Sequence, residues 1–193
     1  MTTTNTETVQ TVQTDLKLNL KLTSNDVKDR VQAAKQGYGL DILVYDKSWE
    51  VRCEVVGRGY GLDILVDDKD WTVRQEVAKR GYGLNKLFKD EDYRVRAEVA
   101  KHAYGIDTLI KDLDCYVRAT VAEQGYGLDK LLKDKDQQVR SAVARRGYGL
   151  DILIEDLSHL VRLEVARQGY GLDILVNDKS WDVSAEATKR IWS

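Results

Sequence analysis

Apolar and polar positions along the chain fall into a block of 22 residues that repeats without insertion or deletion. The dipeptide Tyr-Gly marks it, at Tyr38, Tyr60, Tyr82, Tyr104, Tyr126, Tyr148 and Tyr170. Self-similarity at a fixed period of this length is the signature of a solenoid. Counted from Asp70 as position 1, the unit reads D-W-x-V-R-x-E-V-A-K-x-G-Y-G-L-D-x-L-x-x-D-K, and its fullest copy is 70–91.

Val at positions 4 and 8 with Ala at 9 makes a buried stripe at helical spacing. Asp or Ser at position 1 is a good N-cap, and Lys or Arg at 10 and 11 suits the negative helix end. Gly at 12 supplies the left-handed C-cap residue. The second half, L-D-x-L-x-x-D, has room for two turns of α- or 3₁₀-helix, with Leu at 15 and 18 and an apolar residue at 19 turned inward. The pattern predicts an all-α solenoid: seven helix–turn–short-helix repeats, a C-terminal capping helix over 182–191, and a short N-terminal extension. Thirteen of the fourteen glycines lie in the G-Y-G turns and there is no proline, so turn geometry rests on glycine. Ala103 replaces the first glycine of one turn, which predicts strain there.

The segment 1–23 reads differently from the repeat domain, 24–193. Residues 1–14 are Thr-rich and read as disordered. Leu16, Leu18, Leu20 and Leu22 alternate with polar residues, which predicts a strand over 15–22. Such a strand either covers the open core of the first repeat or pairs with the same strand of another copy, giving a homodimer.

Composition narrows the class. The chain is 42% hydrophobic and 32% charged, with 30 basic against 32 acidic side chains. It is too apolar for disorder and has no apolar run of bilayer length, so no membrane partner is expected. Its balance gives no global basic field. Cys53 and Cys115 lie almost three repeats apart and cannot reach each other, because stacked helices sit about 8–10 Å apart and a disulfide needs Cα atoms within about 7 Å. Two free thiols suit a reducing, cytoplasmic setting. Two cysteines and two histidines build no usual zinc or iron–sulfur site, and neither a metal nor a cofactor is expected.

The D-x-D-x-x-V-R-x-x-V-A stretch followed by a turn and a short L-x-x-L helix resembles HEAT-type repeats. The short unit is closer to the leucine-rich repeat variant, whose units alternate an α-helix with a 3₁₀-helix. The resemblance covers about 26–191. Gly-Tyr-Gly stands where the variant family has Asn-Pro and Thr-Pro. The resemblance implies a right-handed superhelix with a binding role and carries over no catalytic residues.

In a solenoid each unit position becomes a row. Arg at position 5 and Asp at position 21 are nearly unvaried, which predicts a ladder of inter-repeat ion pairs. Asp at 16 suits a helix start, and the Tyr row suits packing. Position 2 holds Trp49, Trp71, Tyr93, His159 and Trp181. Half-exposed aromatics are typical anchors for a protein partner, although each ring could instead cover the seam to the next repeat. Lys35, Arg58, Lys79, Arg80, Lys101, Arg145, Arg146, Arg167, Lys189 and Arg190 form a basic row at positions 10 and 11. That row is a charge complement to the helix ends or a track for nucleic acid or another polyanion. Positions 2 and 10 lie about 12 Å apart along one helix, so aromatic and basic residues do not interleave as a single-strand groove needs. No nucleophile–base set is present. The sequence therefore predicts a non-enzymatic scaffold that binds another protein. Polyanion binding through the basic row and assembly through the N-terminal strand are the alternatives.

Overall fold

The computed structural model describes residues 19–192. They are helical, with no strand among them, and they belong to two compact units, Met1–Leu87 and Phe88–Ser193. The first unit holds three hairpins: α1 (Val27–Lys35) with α2 (Leu40–Leu43), α3 (Trp49–Gly57) with α4 (Leu62–Leu65), and α5 (Trp71–Lys79) with α6 (Leu84–Leu87). The second holds α7 (Tyr93–Lys101) with α8 (Ile106–Leu109), α9 (Cys115–Glu123) with α10 (Leu128–Leu131), α11 (Gln137–Arg145) with α12 (Leu150–Leu153), and α13 (His159–Arg167) with α14 (Leu172–Leu175). A last helix, α15 (Trp181–Ile191), closes it. The seven hairpins and the last helix follow the predicted period. The boundary between the two compact units falls after Leu87, within the repeat array. Repeats that pack on their neighbours share no one core, so an unbroken sequence period does not require one compact body.

The hairpins are set by their ends. Asp26, Asp70, Asp92, Asp114, Asp136 and Ser158 each accept the amide two residues on with the side chain, at 2.7–3.2 Å. At the other end of α1 the Tyr38 amide donates to Ala33 and the Gly37 amide to Ala34, at 3.0 and 2.9 Å. With Gly37 at φ 76° this is a Schellman motif, which uses up carbonyls the helix leaves unpaired. The second glycine of the turn is required twice over. Gly61 stands at φ 62° while its carbonyl accepts the Ile64 and Leu65 amides. A Cβ there would also lie 2.6 Å from Cγ2 of Val44 in the preceding repeat. Position 19 of one hairpin is thus seated on the glycine of the next.

Burial follows the predicted stripes. Val51, Val55, Val73, Val77, Val95, Val117, Val139 and Val161 are fully buried, as are the Ala residues at position 9. Through this core edge runs the Arg–Asp ladder. Arg118 Nε and Nη2 grip the two carboxylate oxygens of Asp134 at 2.7 and 2.8 Å, and its Nη1 donates to the carbonyl of Asp112 at 2.7 Å. Asp134 also accepts the Asp136 amide at 2.8 Å, and its carbonyl accepts Arg140 Nη1 at 2.7 Å. The same set recurs at Arg30–Asp46, Arg52–Asp68, Arg96–Asp112, Arg140–Asp156 and Arg162–Asp178. Each Asp therefore ends one hairpin and starts the next helix, and all but Asp178, which Ser184 follows, receive the next arginine on the carbonyl.

The predicted N-terminal strand is corrected. Residues 19–22 are helical, while Leu16 and Leu18 lie outside the described residues. Leu22 packs on Gly39 as Val44 packs on Gly61. The Ser24 carbonyl takes Arg30 Nη1 at 2.7 Å and its Oγ accepts the Asp26 amide at 3.1 Å, which are the two jobs that Asp46 does for Arg52 and Ser48. Leu22 and Ser24 each stand one period before Val44 and Asp46, so this segment is a degenerate second half-repeat. Over the described part, Leu20 and Leu22 stand in a helical turn and not in a strand. At position 4, where other copies bury Val, α1 has Asp29, held by Ser24 Oγ at 2.7 Å. In α15, Ser184 and Thr188 replace Arg and Ala and turn back on their own helix, donating to the Trp181 and Ser184 carbonyls.

Ala103 is the one non-glycine with positive φ, at 57°, among the described residues. A left-handed L-residue costs about 1–2 kcal/mol, partly offset by glycine's greater chain entropy. Ala103→Gly should raise stability by up to about 1 kcal/mol in denaturant titration, and an unchanged or lower midpoint would refute the strain.

The ladder also sets acid sensitivity. Burial alone would raise the carboxyls of Asp112, Asp134 and Asp156, but hydrogen bonds from Arg96, Arg118 and Arg140 and from the amide two residues on outweigh it, and all three are held below the ordinary value. At Asp178 the Arg162 bond dominates in the same direction. Groups with a lowered folded pKa contribute stability above the unfolded value, about 4, and lose it as pH falls through the folded one. Stability should be level from neutral pH to about 5 and fall steadily below about 4. A melting midpoint that holds its neutral value at pH 2–3 would contradict this.

Candidate protein-binding face

The long helices present positions 3 and 10 outward, with positions 6 and 7 between them half-buried in most copies and buried in α7, α9 and α11. Position 7 is usually glutamate: Glu54, Glu76, Glu98, Glu164 and Glu186. These acids take up the basic row. Lys79–Glu76, Lys101–Glu98, Arg167–Glu164 and Arg190–Glu186 pair within one helix at 2.5–3.3 Å. Lys35 reaches Glu54 of the next hairpin at 3.7 Å, and Arg145 pairs with Glu123 at 2.8 Å and lies 3.8 Å from Glu164. Position 11 does a different job. Arg80 Nη2 donates to the carbonyl of Gly57 in the preceding hairpin, while the guanidinium groups of Arg58 and Arg146 lie against the turn glycines Gly37 and Gly125. Lys189 is exposed near the end of α15. Six of the ten basic residues thus sit beside glutamate, which leaves no continuous cationic track. The signal for this pairing is the glutamate three or four residues before Lys79, Lys101, Arg167 and Arg190.

The position-2 residues are not gathered into one site. Trp49 and Tyr93 are 42% and 39% exposed, Trp71 is half-buried, His159 is exposed, and Trp181 is 78% exposed. Two position-2 residues, Tyr93 and Gln137, cover seams. The Tyr93 ring meets Tyr116 of the next hairpin edge-on, with centroids 5.9 Å apart, and the Arg94 guanidinium lies 5.4 Å from the Tyr93 centroid. Gln137 accepts from Ser158 Oγ of the next cap at 2.7 Å. Trp181 is the candidate anchor most open to solvent.

What brings side chains together is a change at position 7 in two consecutive copies, where Thr120 and Ala142 replace glutamate. With Ala119 and Ser141 beside them at position 6, the outer surface is hollowed into a groove of about 470 Å³ over α9, α11 and α13. Tyr116, Gln138 and Leu160 at position 3 and Leu163 at position 6 wall it. Glu123, Arg145, Glu164 and Arg167 close one end as a mutually paired cluster. Leu160 is 42% exposed and Tyr116 48%. Thr120 is buried, its hydroxyl donating to the Tyr116 carbonyl at 2.8 Å. The groove therefore offers aliphatic and aromatic contact, the amide group of Gln138 and a charge-neutral end.

The chemistry available elsewhere is limited. Burial pushes the Cys53 thiol up to about 12, with nearby carboxylates adding to it, and burial also raises Cys115. Neither is an activated nucleophile. Among the described residues no group of three or more His, Cys, Asp or Glu is placed to hold a metal, and no helix is long and apolar enough to cross a membrane. Comparison with protein-family models and with curated proteins finds no match for this chain.

Proposed function

We propose that this protein is a non-enzymatic repeat scaffold of the adaptor or inhibitor type, which binds another protein through the outward face of the long helices. The observation that carries the reading is the groove over α9, α11 and α13. The rows that build the hairpins repeat almost without change, while positions 3, 6 and 7 change from copy to copy. Where they turn small, over α9, α11 and α13, an open surface forms that mixes apolar walls with an amide group. Buried aromatic and apolar anchors ringed by polar groups are what protein interfaces use. Trp181 adds an exposed aromatic of the kind that anchors a partner. The hairpin's likeness to HEAT-like and leucine-rich-repeat-variant units agrees with a binding role, and two free thiols suit a reducing compartment such as the cytoplasm.

Polyanion binding through Lys35, Lys79, Lys101, Arg145, Arg167 and Arg190 is the weaker reading, because glutamates already accompany those side chains. The experiment is capture of partners by the full chain, after nuclease treatment and a wash at high salt. A protein should remain bound. The Tyr116→Ala/Leu160→Ala/Leu163→Ala variant, checked for native helicity, should bind it at least about ten-fold more weakly, since truncated anchors cost about 1–3 kcal/mol each. Retention that this variant leaves unchanged, or bound material that is nucleic acid and washes off with salt, would overturn the assignment.

A further inference from the structure

A second pattern is laid over the 22-residue period on the short helices. In the second unit position 17 runs Thr108, Lys130, Ile152, Ile174, and position 20 runs Lys89, Lys111, Lys133, Glu155, Asn177; all are exposed. Lysine stands at position 20 wherever position 17 of the same hairpin is polar, and Glu or Asn wherever it is isoleucine. Position 16 is an exposed Asp throughout: Asp107, Asp129, Asp151 and Asp173. At these positions one half of the face thus carries four lysines against two aspartates, and the other carries three carboxylates and two isoleucines, with Lys179 beyond Glu155 as the nearby cation.

The segregation prevents the charges from pairing within the chain. The first unit shows the geometry in which such groups do meet: Lys86 at position 17 bridges Asp67 at position 20 of the preceding hairpin. In the second unit the corresponding neighbours are Lys130 with Lys111, Ile152 with Lys133, and Ile174 with Glu155. Among the described residues Lys111, Lys130 and Lys133 have no carboxylate partner, and Asp151, Glu155 and Asp173 have no cation. Lys89 is the exception in its half, held over the Phe88 ring at 5.0 Å. The aliphatic side chains are likewise uncovered, with Ile152 49% and Ile174 62% exposed.

We propose that this face docks on the same face of a second copy of the chain, about a two-fold axis passing between α10 and α12. A two-fold contact is self-complementary: whatever one copy offers at one end of the patch is met by the other end of its partner. The axis sets the hairpin of α10 against that of α12, and α8 against α14. Lys130 and Lys133 of one copy then meet Asp151 and Glu155 of the other, Lys111 meets Asp173, and every contact is made twice. Ile152 and Ile174 lie on the methylene stems of the opposing lysines, which can cover apolar surface while their heads reach the carboxylates. Four repeats about 10 Å apart make a patch of about 400–600 Å² per copy. Near 1,000 Å² in total is the low end for a specific interface, so the dimer is weak and depends on salt. The surface is separate from the groove of the long helices, and neither reading depends on the other.

Sedimentation equilibrium of the full chain tests this, at high protein concentration and at about 0.02 M and about 0.5 M salt. The expected result is a monomer–dimer equilibrium at least ten-fold weaker at the higher salt. The Lys111→Glu/Lys130→Glu/Lys133→Glu variant should be monomeric, and so should Asp151→Lys/Glu155→Lys/Asp173→Lys. The chain carrying all six changes restores the opposition of charge and should dimerise again, which separates pairing from damage to the fold. A wild type that stays monomeric at low salt overturns the proposal. So does a dimer indifferent to the lysine reversals, or a folded six-fold variant that stays monomeric.

Discussion

The buried Arg–Asp pair that closes each hairpin, with the bond from the same guanidinium to the preceding hairpin, is the interaction on which the rest of the structure depends. A hairpin of a nine-residue helix and a four-residue helix buries too little apolar surface to stand alone, and helices this short are marginal in water. Packing of Val and Ala stripes draws hairpins together, but small aliphatic side chains alone leave their relative register loose. The guanidinium removes that freedom. It holds both oxygens of its own hairpin's Asp and the carbonyl of the preceding one, while the same Asp caps the helix that follows. Arg30, Arg52, Arg118 and Arg162 are 4–5% exposed, so each is a buried charge whose cost is met only if every one of these partners is present.

The turn geometry follows from that constraint. Because each hairpin must return its Asp to the next arginine, the chain reverses in the same way each time. The Schellman turn and the second left-handed glycine do this within three residues. The close seating of Val44 on Gly61 leaves no room for a side chain there. The two terminal helices modify the same rules. Asp29, Ser184 and Thr188 stand where inner copies have Val, Arg and Ala, and each finds a local hydrogen bond in place of an inter-repeat one. With invariant rows committed to holding hairpins together, variation is confined to the outward positions of both helices, where the groove and the charge-segregated short-helix face lie.

Much of the fold was legible because the period repeats every physical cue at once: cap, stripe, turn glycine and ladder residues at the same spacing. The N-terminal segment was not. Leucines at alternate positions imitate a strand, and the period that identifies Leu22 with Val44 and Ser24 with Asp46 shows only once the contacts to Gly39 and Arg30 are seen. The groove was hidden for a different reason. A sequence reading looks for prominent side chains, such as Trp49 and Trp71, whereas the opening comes from small ones, Thr120 and Ala142, where neighbours carry glutamate. The basic row misled in the opposite sense, since a cation is conspicuous and the acid one helical turn away is not.

A double-mutant cycle on one rung tests the account most directly, using Arg118→Met, Asp134→Leu and the two together, with stability from denaturant unfolding at neutral pH. Removing one partner of a buried pair typically costs about 3–5 kcal/mol, whereas replacing both by apolar groups costs far less than the sum. The account predicts single losses of that size and a coupling energy of about 2 kcal/mol or more. Single losses below about 1 kcal/mol that simply add, as exposed ion pairs give, would show that the ladder decorates the array and does not hold it together.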